Sequence, residues 1–84
     1  MNKNSRIRWG IIGTGRIAHT FAEALSGCED AELYAVASRT AQKANDFAEK
    51  FGFLKAYGSY AELAQDEKVD IVYIASDGNH GQMP

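Results

Sequence analysis

Eighty-four residues make one compact unit and no more. Nine Lys and Arg against eleven Asp and Glu leave a net charge of -2, which argues against nucleic acid as a partner, since neutralising phosphates takes a basic surface. No apolar stretch approaches the roughly 20 residues that cross a bilayer, so no membrane partner is expected, and Cys28 as the lone cysteine excludes an intrachain disulfide and suits a reducing cytoplasm.

Met1 to Arg6 is a polar stub without the apolar core of a signal peptide. Ile7 to Ile12 carries Ile7, Trp9, Ile11 and Ile12 and reads as a buried strand, broken by Gly13 to Gly15. Ile17, Ala18, Phe21, Ala22 and Leu25 then recur at helical spacing until Gly27, a C-terminal cap. Cys28 reads as a small residue after that helix. Leu33 to Ala37 is a second strand, apolar enough to be covered on both faces as in a parallel sheet. Thr40 can cap the next helix, whose stripe is Ala44, Phe47, Ala48 and Phe51 and whose stop is Gly52. A short third strand is read around Ala56-Tyr57. Ser59 and Glu62 have capping-box spacing for a short helix ending near Asp66. Val69 to Ala75 is the fourth strand, and residues 76–84 form an irregular tail without periodicity.

Strands alternating with helices across short connections predict an α/β fold. The expectation is a partial Rossmann fold: a parallel sheet of about four strands in the order 3-2-1-4, with right-handed crossover helices. The first two helices should share one face of the sheet and the third should land on the other.

Gly13-Thr14-Gly15-Arg16-Ile17-Ala18 is a G-x-G-x-x-A turn between a predicted strand and a predicted helix. Gly13 permits the tight turn, Gly15 lets a pyrophosphate approach the backbone, and Ala18 lets the helix pack on the first strand. The helix start at Arg16 and Ile17 offers free N–H groups and the positive end of its dipole. The alternative is a turn with only structural duty. At the end of the second strand an NAD site wants a carboxylate for the ribose hydroxyls. This sequence has Ser38-Arg39-Thr40 instead. Arg39 can pair with a 2′-phosphate and lie against adenine, and Ser38 and Thr40 can donate hydroxyl hydrogen bonds to that phosphate. Lys43, one turn into the helix, is a second candidate cation. These residues point to NADP, with NAD as the alternative. The plain reading is a solvated arginine beside a capping threonine. His19 reads as a half-exposed helix residue.

Arg8 to Ala18, taken with Val36-Ala37-Ser38-Arg39, Ala56-Tyr57-Gly58-Ser59-Tyr60, Glu62-Leu63 and Val69 to Ala75, resembles the glucose–fructose oxidoreductase/inositol dehydrogenase/MocA family. Its NADP-using members, of the dihydrodiol and xylose dehydrogenase kind, are the most similar. The resemblance implies a nucleotide-binding domain followed by a larger substrate domain, with hydride transfer between nicotinamide and a sugar, polyol or related carbonyl. It places Ala75 and Ser76 beside the cofactor. Two departures stand out. Asp77 takes the place of a usual proline, and His80 falls near the family's histidine in an altered loop. The family's Glu-Lys-Pro motif, whose lysine assists proton transfer, follows a fifth strand that lies past these 84 residues. The expectation is therefore the front part of the domain, without catalytic or metal-binding residues and without turnover of its own. A fourth strand left as an open edge would drive homodimerisation or higher self-association. A stand-alone dinucleotide-binding module and an inert truncation product are the rival readings.

Overall fold

The computed structural model describes residues 6–75. The elements run β1 (Ile7–Ile12), α1 (Arg16–Ser26), β2 (Ala31–Ala37), α2 (Ala41–Phe51), β3 (Lys55–Tyr57), α3 (Tyr60–Ala64) and β4 (Ile71–Ile74). All pairings are parallel, and the strand order is β3-β2-β1-β4, as the alternation of elements predicts. The irregular tail read over residues 76–84 lies outside the described residues.

Each sheet face carries its own apolar cluster. Ala18, Ala22 and Leu25 of α1 and Phe47 and Ala48 of α2 pack with Ile11 and Val36. Leu63 of α3 packs with Tyr34, Ala35 and Ala37 on the opposite face. Aromatic rings extend the first cluster: Phe21 stacks on Tyr73 with centroids 3.8 Å apart, and Trp9 meets Phe21 edge-on at 5.4 Å.

Strict alternation along β2 would put Leu33, Ala35 and Ala37 on one face. The structure does otherwise. Trp9 pairs with Leu33 but Gly10 pairs with Ala35, so Tyr34 has no partner on β1. This bulge sends Tyr34 and Ala35 together to the α3 face and lets Leu33 and Val36 share the α1/α2 face.

The helix ends follow local chemistry. Thr40 Oγ1 accepts from the Lys43 N–H at 3.2 Å, and Ser59 Oγ accepts from the Glu62 N–H at 3.2 Å. Gly52 ends α2 in the left-handed region with φ 89°. Gly27 caps α1 through its N–H to Ala24.

Several boundaries differ from the sequence reading, among them the end of β4 at Ile74 rather than Ala75. β2 begins at Ala31 and β3 includes Lys55. α3 ends at Ala64, with Gln65 as its cap. β4 starts at Ile71, because the Val69 N–H turns back to the Asp66 carbonyl at 3.2 Å. Ile17 leaves the apolar stripe of α1 and is 42% exposed, since Ala18, Ala22 and Leu25 define the face that meets the sheet.

Candidate functional site

The carboxyl ends of β1 and β2 open into a cavity of about 850 Å³. That size lies within the usual range for small-molecule sites. Gly13, Thr14, Gly15, Ser38, Arg39, Thr40, Lys43 and Ala75 all line it. Arg16 and Ile17 stand exposed on the first turn of α1, outside the lining; only their main chain belongs to the helix start. Ser76, Asp77 and His80 lie outside the described residues.

Gly13 is held by two demands. Its φ is +111°, where a side chain is strained, and an ideal Cβ would stand 2.5 Å from the Ala75 carbonyl oxygen. Its N–H donates to the Ala37 carbonyl at 2.8 Å, tying the turn to the end of β2. Gly15 has φ -83°, which any residue adopts, so what it contributes is an unobstructed approach to the main chain.

α1 differs from its two neighbours at the amino end. Side chains cap α2 and α3, whereas no side chain hydrogen-bonds the start of α1 at Gly15. Its first N–H groups are therefore left for an anion at the mouth of the cavity. Across the cavity, Ser38 is 5% exposed, and its hydroxyl lies 3.4 Å from that of Thr14. This contact joins the glycine turn to the end of β2. Arg39 and Lys43 are exposed, and neither makes an ion pair among the described residues. An uncapped helix start, a turn free of side chains and two unpaired cations suit a phosphate-bearing ligand such as a dinucleotide.

The cavity also holds residues that motif reading missed or left unassigned. His19 lines it, with Nδ1 3.1 Å from the Gly15 carbonyl oxygen. A carbonyl only accepts, so Nδ1 carries the hydrogen in this arrangement. The ring meets Phe47 and Phe51 edge-on, at 4.9 and 5.3 Å. Asp46 and Lys50 join from α2, and Tyr60 joins from α3. The α2 residues follow Lys43 at helical spacing, a signal present in the sequence. For Tyr60 no local sequence signal marks the cavity.

Two side-chain contacts outside the cavity displace pKa values. The Tyr57 hydroxyl donates to Asp66 Oδ2 at 2.6 Å, which pushes the phenol up to about 12 and holds the Asp66 carboxyl below its ordinary value. The backbone N–H of Arg8, and then its guanidinium at 3.4 Å, lower Asp70. No group of three or more metal-ligating side chains occurs among the described residues. No described helix is long and apolar enough to cross a membrane. Hydroxyls of Thr14, Ser38 and Thr40, the cations of Arg39, Lys43 and Lys50 and the carboxylate of Asp46 are the polar side chains that line the cavity beside His19 and Tyr60.

Residues 7–83 match the family described as "Oxidoreductase family, NAD-binding Rossmann fold". The trans-1,2-dihydrobenzene-1,2-diol dehydrogenase of Mus musculus is 47% identical over 72 residues, covering 83% of this chain and 22% of that protein. The enzyme of the same name from Homo sapiens is 42% identical over 72 residues, with the same coverage of 83% and 22%. A 3-ketoreductase from Actinomadura kijaniata, solved with NADP, superposes with a TM-score of 0.77 at 36% identity, covering 81% of this chain and 22% of that one. The chain thus spans less than a quarter of the length of these relatives. On the match of residues 7–83, the chain belongs to the Gfo/Idh/MocA oxidoreductase family and carries its NAD-binding Rossmann fold.

Proposed function

We propose that the chain is the NADP(H)-binding front part of an oxidoreductase that moves hydride between nicotinamide and a sugar, polyol or related carbonyl. One observation carries the choice of NADP. The strand end that would present a carboxylate to a ribose presents Ser38, Arg39 and Thr40, with Lys43 on the same cavity. The reductase from Actinomadura kijaniata, solved with NADP, supports the same choice.

In this reading the Gly13–Gly15 turn and the start of α1 hold the pyrophosphate. Arg39 and Lys43 neutralise the 2′-phosphate, and the arginine offers a planar, bidentate donor. Ser38 and Thr14 link the two halves of the cradle through their hydroxyl contact. The bound cofactor supplies the hydride chemistry, and the protein supplies placement. The chain covers 22% of its dehydrogenase relatives, and the role we assign to these residues is cofactor binding.

Calorimetric titration of the chain with NADPH and NADH tests the reading. NADPH should bind more tightly, and Arg39→Ala should erase most of the difference. Equal or reversed preference in the unaltered chain refutes the NADP assignment.

Self-association is the second reading, carried by the outer edge of β4. Ile71, Val72 and Ile74 are 39%, 41% and 66% exposed, and no Lys or Pro guards the strand. Two copies pairing these edges antiparallel would close the contact about a two-fold axis.

A further inference from the structure

The cavity is walled on one side of the sheet by α1 and α2, while α3 lies on the other face and contributes Tyr60. Gly58 makes that reach possible. An ideal Cβ there would meet the Ala41 nitrogen and Cβ at 3.2 Å each, so the bare glycine lets the turn before α3 close against the start of α2. Ser59 then caps α3 and sets the direction of its first residue, Tyr60.

The chain has four tyrosines, and three have packing duties. Tyr34 is buried in the α3-face cluster, Tyr57 donates to Asp66, and Tyr73 stacks on Phe21. Tyr60 is 42% exposed. Among the described residues its ring has no aromatic neighbour and its hydroxyl no hydrogen bond. A half-exposed ring on a cavity, with no aromatic or hydrogen-bond partner among the described residues, can present its face to a ligand. Arg39, on the turn after β2, brings a second flat group to the same cavity.

We propose that Tyr60 is the aromatic wall of a purine slot, stacking on the adenine of the bound dinucleotide while Arg39 flanks it. The inference rests on the dinucleotide reading and adds a residue that holds the base. Stacking acts through the ring, so it is indifferent to the 2′-phosphate and to the tyrosine hydroxyl.

The test is a calorimetric titration of the unaltered chain, Tyr60→Leu and Tyr60→Phe with NADPH and with NADH. Tyr60→Leu should weaken both by about tenfold, the lower-middle range for losing one base–aromatic stack, and leave their ratio unmoved. Tyr60→Phe should stay within about twofold of the unaltered chain. The Tyr60 ring protons, assigned in the NMR spectrum by their loss in the Leu variant, should move upfield when NADPH is added. If Tyr60→Leu binds both nucleotides like the unaltered chain, or the ring protons stay put, the purine slot is refuted while the dinucleotide reading stands. A loss in Tyr60→Phe equal to that in Tyr60→Leu also refutes it, because the hydroxyl would then be the contact. If the unaltered chain binds neither nucleotide, both readings fail together. Because the side chain is half exposed, the variants should melt with the unaltered chain, so a shared loss of fold would place Tyr60 in the core and overturn the inference.

Discussion

Gly13 and Ala75 meet backbone to backbone: a Cβ on the glycine would lie 2.5 Å from the Ala75 carbonyl oxygen. The turn after β1 therefore locks against the end of β4, and the lock forms the floor of the cavity. Gly13→Ala must strain a φ of +111° and push the end of β4 away. The backbone strain alone is about 1–3 kcal/mol. In a domain of this size that lowers the melting temperature by roughly 10 °C, and the displaced strand adds to it. Thermal melting followed by circular dichroism checks this, and a variant that melts with the unaltered chain contradicts the lock.

The Tyr57–Asp66 hydrogen bond should leave a mark at both ends of the pH scale. Asp66 is held below its ordinary 3.8, first by the Tyr57 hydroxyl and then by the Lys68 N–H. Its contribution is complete above that value and is lost as pH falls through the lower value in the folded chain. Tyr57 is raised from 10.0 to about 12, so its contribution is complete below pH 10 and is lost as pH rises towards 12. Tyr57→Phe removes the donor. Its melting temperature should be lower at neutral pH and should fall less steeply than that of the unaltered chain below pH 4 and above pH 10. Parallel profiles for the two proteins would show that the pair contributes nothing.

The edge of β4 should bring copies of the chain together at micromolar concentration. Light scattering or sedimentation is expected to show a dimer or larger species, and Ile74→Lys should restore the monomer. Ile74 is 66% exposed, so the substitution costs the fold little. A monomeric unaltered chain, with the outward amides of Ile71 to Ile74 exchanging freely, would refute self-association.

Local sequence was enough for the element order and the sheet order. Apolar runs, the glycine turn and the capping residues Thr40 and Ser59 act over a few residues, and short crossovers allow few topologies. Part of the cavity lining was legible for the same reason: Gly13, Thr14, Gly15, Ser38, Arg39, Thr40 and Lys43 sit at strand and helix ends that the pattern marks, and the fold gathers them. Tertiary packing decided the rest. The bulge at Tyr34 arises because the middle of β2 must serve two cores at once, and alternation along one strand carries no record of the opposite helices. The contact between Gly13 and Ala75 joins positions far apart in the chain, so only the pairing of β1 with β4 reveals why that glycine is needed. Tyr60 reaches the cavity because Gly58 lets one turn close on another helix, a distance set by packing and absent from any local pattern.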